Sequence, residues 1–384
     1  MEFVIPFGKR IRFNYFKHTT TFKMRFIKWT PMKIVVISSA LIFQVIGNSL
    51  FGQTGGQSSF LFLNLSPSAR NTALGSYAIS WPGSDPTSAY INPSLLNDKM
   101  NTAISFNHQF YFDGIDAGHV SYSQLIKKWN INAQAGVQYI SSDKIIAADD
   151  IGNIYGTTDA NELDFFVVGS RKFNDRITLG ASIHYINSHL GLFSSNALAG
   201  SFSGLYFNPE KNYGLSLVLR NLGVVLDAYD IEKEKLPLTV ELGFSKRLLH
   251  LPFIYYITAH HLETGNVRYD DPNLNSNSDI FGNVKEKSAF TKWTNNVLRH
   301  FSLGGEMLLG KKEQFNLRLG YNHLRKKDLS VADYTTFGGL SYGIGFKIYK
   351  FKIDYSYAKY HIAGGTNQFS ITTSINSFLK NTKL

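Results

Sequence analysis

The chain has 384 residues, no cysteine and a formal charge of +11, with 30 Phe, 21 Tyr and 32 Gly. The lack of cysteine excludes a disulfide scaffold, a Cys-ligated zinc site, a Cys nucleophile and an acylated lipoprotein cysteine. A mean hydropathy of −0.12 excludes a polytopic helical membrane protein, and no run of apolar residues after residue 50 is long enough to span a bilayer as a helix. The charge is unevenly placed: residues 1–52 carry eight Lys or Arg and one acid, which accounts for seven of the eleven net charges and leaves +4 for the rest. Nucleic acid is therefore not an expected partner.

Residues 1–52 read as an upstream extension and a secretory signal, both removed. From Met32, Lys33 precedes the apolar stretch Ile34–Ile46, which is followed by small and polar residues up to Gly52–Gln53. This is the order of n-, h- and c-regions, and the apolar part is too short for a spanning helix. The competing reading is a retained membrane anchor. Met24 and Met32 are alternative starts.

Residues 53–101 form the next unit. In "SPSARNTALGSY" (Ser66–Tyr77), Ser66 is expected to cap a short helix, Pro67 to occupy its first position and Gly75 to end it with positive φ. Asp85-Pro86 and Asn92-Pro93 repeat the pairing of a capping side chain with proline. A helix this short is unstable alone in water, so it needs a host. We expect a plug or hatch folded into a barrel lumen from the periplasmic side; the alternative is a mobile periplasmic arm.

Residues 102–384 alternate with period two. Trp129, Ile131, Ala133, Ala135, Val137 and Tyr139 are separated by Asn130, Asn132, Gln134, Gly136 and Gln138, and similar patterns start at Ile177, Phe315 and Phe369. The second face is rich in Ser, Thr, Asn, Gln and Gly, which suits a crowded lumen better than bulk solvent. Ten steps of about 3.3 Å, tilted by roughly 40°, rise about 25 Å, the height of an outer-membrane apolar band. Trp129 and Tyr139 are the expected membrane girdle. Fourteen segments are expected, near 102–112, 117–126, 129–141, 162–173, 176–187, 197–207, 213–220, 238–248, 252–262, 300–309, 313–323, 339–348, 351–360 and 367–376. The fold class is an all-β, fourteen-stranded antiparallel transmembrane barrel with a small N-terminal helical plug. Connections after even strands are short and those after odd strands mostly long, as for periplasmic turns and extracellular loops. Loops 142–161 and 263–299 are the candidate partner-docking surface, with Tyr269, Phe281, Phe290 and Trp293 as aromatic anchors.

Five stretches carry a family resemblance: "GGQSSFLFLNLSPSARNTALGSYAIS" (Gly55–Ser80), "NPSLL" (Asn92–Leu96), "GLSLVLRNLG", "FNLRLGYNHL" and "GLSYGIGFKIYKFKIDYSYA". Together they resemble the PorQ family of the type IX secretion system. That family comprises outer-membrane barrels of Bacteroidetes related to PorV and to the FadL fatty-acid transporters. The plug motif is Ser68, Ala69, Arg70, Ala73, Leu74 and Gly75, with Asn92 and Pro93. The chain departs from the family at Ser76, usually glycine, at Ser94, usually alanine, and at its non-aromatic end after Phe378. The resemblance implies a non-enzymatic role in a cell-surface attachment complex. Its implied partners are a PorU-like sortase, a PorV-like barrel and a PorZ-like surface protein, in an outer membrane containing lipopolysaccharide. It implies no cofactor.

The remaining chemistry is sparse. His260 and His261 should face opposite ways on a strand, so no metal is expected there. Glu306 and Arg318 are expected to pair across neighbouring strands in the lumen, with Asp354 also inward. No grouping of residues suggests catalysis. The competing function is FadL-like transport of hydrophobic compounds, which calls for an apolar pocket inside the barrel. An unplugged structural porin is a third reading.

Overall fold

The computed structural model describes residues 58–111, 114–149, 151–230, 234–268, 288–329, 337–361 and 364–379. The expected signal segment and the aromatic residues Tyr269 and Phe281 lie outside the described residues. Fourteen strands close into one antiparallel barrel: β1 (Ala103–Phe110), β2 (Ile115–Ile126), β3 (Ile131–Ala148), β4 (Ile154–Lys172), β5 (Ile177–Leu190), β6 (Phe193–Asn208), β7 (Tyr213–Asp227), β8 (Thr239–Arg247), β9 (Phe253–Ala259), β10 (Phe301–Leu309), β11 (Phe315–Asn322), β12 (Leu340–Ile348), β13 (Phe351–Lys359) and β14 (Gly365–Ser374). Each strand pairs with its neighbours in sequence, and β1 closes on β14 from Ala103↔Ser374 to Phe110↔Asn367. Closure leaves no unpaired edge.

Burial alternates along the strands as the side-chain period requires. On β11, Asn316, Arg318, Gly320 and Asn322 point inward and are buried, while Leu317 and Leu319 stand exposed on the outside. Inward Ser105, Gln134, Ser182, Ser245, Ser356 and Gln368 are all buried. Outward Val167, Ile183, Phe202, Leu217, Leu242 and Tyr342 are all exposed. The barrel is thus apolar outside and polar inside, the reverse of a soluble domain.

Two expected loops are corrected. Residues 142–161 and 188–196 mostly extend the ladder: β3–β4 continues to Ala148↔Ile154 and β5–β6 to Leu190↔Phe193. The hydrophobic alternation fades after Ser141, where "SDKIIAADD" follows, and a register shift between Ser142 and Ile145 breaks its parity. Backbone hydrogen bonds do not need an apolar face, so the hairpin persists where the pattern stops. β7 likewise runs on to Asp227 past a register shift at Gly200/Phe202. The two mouths still differ. One carries short turns, such as 349–350. The other carries the longer connections, including α3 (Ala289–Arg299) between β9 and β10 and α4 (His323–Asp328) between β11 and β12.

Residues 58–101 fill the lumen. They form α1 (Ala69–Ala73), α2 (Ser88–Ile91) and 3₁₀ turns at Leu61–Asn64, Pro93–Leu95 and Asp98–Met100. The C-terminal turn α5 (Asn376–Leu379) lies past β14. The cap of α1 is Ser68, not Ser66: the Ser68 Oγ accepts from the Asn71 amide at 3.3 Å. Ser66 instead donates its hydroxyl to the Ser68 carbonyl. Asp85 does not cap α2 directly; its Oδ1 accepts from the Thr87 amide and hydroxyl one turn earlier. Asn92 does cap the following turn, accepting from the Ser94 amide at 3.0 Å.

The described segment begins at the long-connection mouth, where Ser58 bridges Lys235 between β7 and β8. Phe60, Phe62 and Leu63 pack there on Ile186, Ala197, Ala199, Val225 and Leu236. The chain then crosses the lumen and leaves at the short-turn mouth, where the Asn101 side chain accepts from the Leu125 amide before β1 begins. Ile79, Tyr90, Ile91, Leu96 and Met100 pack on Phe166, Val168 and Val218, a second group of apolar side chains that point inward. Each such large side chain contributes about 1.5–3 kcal/mol on full burial.

Candidate functional site: the charged seat of the plug

The inward face of β9–β13 meets α1 through a chain of alternating charges. Arg70 projects from the first turn of α1 and forks onto Glu306 of β10, with Nε to Oε1 at 3.2 Å and Nη2 to Oε2 at 2.7 Å. The Tyr256 hydroxyl of β9 accepts from Arg70 Nη2 at 2.8 Å and donates to Glu306 Oε2 at 3.0 Å. On the other side, Arg318 Nε donates to Glu306 Oε1 at 2.8 Å and Arg318 Nη1 to Asp354 Oδ1 at 2.6 Å. Lys352 lies 3.6 Å from Asp354, and Asp85 4.0 Å from Arg70. Three cations and three anions alternate, so the row is neutral. The Arg318 side chain is 0% exposed. Paired and hydrogen-bonded charges of this kind are the form in which ions tolerate burial.

Strand parity brings Glu306, Arg318 and Asp354 together. Glu306 stands opposite Arg318 in the ladder, and Arg318 meets Asp354 diagonally over Gly345 of β12, which is paired with Asp354. Arg70 completes the row because α1 lies across β11–β14, its Ala69 amide donating to Ser370 Oγ and its Ala73 carbonyl accepting from Ser341. Leu74 packs with Ile254, Tyr256 and Leu308. Gly75 ends the helix at φ +87°, its carbonyl accepting from Ser302 Oγ at 3.1 Å. A Cβ on wall residue Gly320 would collide with the Gly75 amide. At Gly180 of β5, a Cβ would collide with the Pro93 carbonyl carbon and the Ser94 amide. The plug motif thus contributes to two close contacts with the wall, Gly75 over Gly320 and the Pro93–Ser94 peptide over Gly180.

Two further buried attachments were not anticipated from the sequence. Arg220 of β7 donates to the Asn64 side chain at 2.8 Å and lies 3.6 Å from Glu241 of β8. Asp164 of β4 accepts from the Tyr90 hydroxyl and from His184 Nδ1, both at 2.8 Å. Inward parity marks Arg220, Glu241, Asp164 and His184 as it marks Arg318; only their plug partners are invisible to it. Trp129 lies in the turn before β3, 59% exposed. Tyr139 faces outward but lies mid-strand, over Gly118 and 3.3 Å from His108.

His260 and His261 do not alternate on a strand. β9 ends at Ala259, and His261 turns at φ +55°, which brings the two Nδ1 atoms to 2.8 Å. Tyr77 of the plug stacks on His260 at 4.1 Å. Burial, with His300 and basic side chains nearby, holds His260 well below the ordinary histidine range and His261 at about 4. Two neutral imidazoles can share one proton between them as donor and acceptor. Burial also pushes Glu263 up to about 7. Among the described residues, no three metal-ligating side chains come together.

A cavity of about 170 Å³ opens beside the charged row, lined by Arg70, Asp85 and Glu306 and, toward the short turns, by Lys312, Lys347 and Lys352. Two apolar hollows are on the outside of the wall, about 780 Å³ among Leu179, Ala181, Phe202, Leu217 and Leu219 and about 420 Å³ among Leu303, Met307, Leu317 and Leu319, and a third of about 400 Å³ lies at the long-connection mouth among Ile115, Ile140, Ala160 and Leu190, with Glu162.

No protein family matches the chain. No curated protein sequence matches it either. Among solved structures it is similar to the Pseudomonas putida toluene transporter TodX (TM-score 0.47, 10% identity, covering 79% of this chain and 96% of that one). It is also similar to the monoaromatic hydrocarbon channel CymD (TM-score 0.47, 13% identity, 83% and 99%). A third similar structure is a Pseudomonas aeruginosa FadL homologue (TM-score 0.46, 11% identity, 81% and 98%).

Proposed function

We propose that this chain is an outer-membrane barrel kept shut by its own N-terminal segment, and that it serves as a non-enzymatic anchor for partners at the cell surface. A closed barrel with an apolar outside and a polar inside is one of the two structures that can span a bilayer. In this reading the long connections face outward and the short turns face the periplasm. The observation that carries the anchoring role is the filled lumen. Its wall is polar, its plug is fastened by three buried polar attachments, and its cavity beside the plug is lined by charge. Beside the charged row the interior offers little to a hydrophobic cargo, and the long-connection mouth, with its apolar hollow at Ile115, Ile140 and Leu190, is the working surface. The resemblance centred on Gly55–Ser80 gives the finer proposal, membership of the type IX attachment complex with sortase, PorV-like and PorZ-like partners. That stretch supplies the plug's seat, in Ser68, Arg70 and Gly75.

The second reading is passage of hydrophobic compounds, the activity named for the toluene transporter and the monoaromatic hydrocarbon channel. One observation favours it. Among the described residues, the plug joins none of the fourteen strands as a ladder partner, so it can move without opening the wall. Affinity purification of the tagged protein from gently solubilised outer membranes, followed by mass spectrometry, separates the two. Near-stoichiometric recovery of a large sortase-like peptidase and a PorZ-like surface protein supports anchoring. A solitary barrel that speeds uptake of aromatic hydrocarbons into proteoliposomes supports passage.

A further inference from the structure

Helix α3 is amphipathic in an unexpected sense: its polar face is turned to the protein and its apolar face away from it. At 100° per residue, Phe290, Trp293 and Val297 share one side, while Asn295, Asn296 and Arg299 share the other. The polar side is used up internally. Asn296 accepts from the Val267 amide at 3.0 Å and donates to the Gly265 carbonyl at 2.8 Å. Arg299 donates to the Asn295 side chain and the Val267 carbonyl and lies 3.6 Å from Asp328 of α4. On the opposite side Val297 is half-buried, but no described residue covers the aromatic side chains. Phe290 is 74% exposed and Trp293 62%, their rings stacked 6.2 Å apart, with Leu298 also exposed. A water-facing helix would carry the reverse arrangement.

This bare face does not stop at the helix. His300 caps α3, and the next residue, Phe301, already belongs to the exposed outer side of β10, followed there by Leu303 and Met307. Leu319 of β11 and Leu340 of β12 carry the same apolar surface across the neighbouring strands. The aromatic pair thus extends the apolar outside of the barrel over its rim.

We infer that α3 is an interfacial helix, laid into the headgroup–acyl boundary of the leaflet at the long-connection mouth, with Phe290, Trp293 and Leu298 as its lipid anchors. The inference rests on the membrane reading above. Aromatic side chains favour that boundary because one end of the ring system is apolar and the other wet. An interfacial helix sinks its apolar face about 5–10 Å into the boundary. Phe290 and Trp293, expected from the sequence to dock a protein partner, are thereby assigned to lipid.

The test uses the full chain in vesicles of phosphatidylcholine containing phosphatidylcholine brominated either near the headgroup or near the chain ends. Two single-tryptophan variants are compared, one keeping Trp129 and one keeping Trp293, with the other tryptophans replaced by phenylalanine. Trp129 lies in a turn at the opposite mouth, and its quenching by either lipid reports whether the barrel is inserted. The inference expects Trp293 to be quenched about twofold more by the shallow bromines than by the deep ones, and to resist aqueous iodide. Trp129 quenched by lipid while Trp293 is quenched only by iodide overturns the inference and leaves the membrane reading intact. Trp293 shielded from both quenchers overturns it in favour of a protein on that face. Neither residue quenched by lipid overturns both. Should a single-tryptophan variant fail to fold, Trp293→Phe in the otherwise unchanged protein gives the same answer: the shallow-quenched fraction of the fluorescence is lost, or, against the inference, it is not.

Discussion

Arg318 has no access to water and lies between two carboxylates, so its charge is balanced by protein alone. Replacing it by methionine removes the cation and leaves Glu306 to Arg70 and Asp354 to Lys352, which is 3.6 Å away. Breaking a buried pair from one side costs about 3–5 kcal/mol when the remaining charge loses its compensation, and less here, where Glu306 and Asp354 each keep one cation. Arg318→Met should therefore lower the melting temperature of the barrel in detergent, followed by heat-modifiable electrophoresis. An unchanged melt contradicts the role given to the pair. The pairing of Glu306 with Arg318 was legible in the sequence, because two inward parities on adjacent strands leave few alternatives. The third member, Arg70, was legible only as a motif residue. Strand parity says nothing about how deep a helix lies in a lumen.

At the level of elements, the plug and the wall fit through backbone as well as side chains. Gly320 admits the end of α1, and Gly180 admits the Asn92–Ser94 turn. A methyl group at Gly320 meets backbone rather than a yielding side-chain tip, and overpacking of that kind costs about 1–3 kcal/mol. Gly320→Ala should loosen α1 and make residues 66–80 cleavable by added protease, while β11 keeps its rungs and the barrel still forms. Unchanged protection of that segment contradicts the close fit. The strands themselves were readable wherever one face met an apolar surroundings and the other a polar lumen, as on β5 and β11. Beyond Ser141 a register shift breaks the parity, and beyond Tyr185 the outward positions turn polar at Asn187 and His189, so the alternation that marks a strand disappears although the hydrogen-bonded ladder continues. Caps and prolines likewise locate short helices, but nothing local records at which mouth the described segment begins.

For the whole molecule, one arrangement accounts for the composition. Outward phenylalanine, leucine and tyrosine demand an apolar surroundings, inward serine, glutamine and asparagine demand partners, and the plug supplies them from Phe60 at one mouth to Asn101 at the other. A fourteen-stranded wall without that filling would enclose an aqueous pore. Both readings of the function require that the resting protein be shut. The direct measurement is ionic current through the purified protein in planar bilayers, beside a variant with residues 60–100 excised. The account predicts that the full chain passes no steady current and that excision produces a stable open channel. A steady current through the intact chain would contradict the seal on which the rest depends.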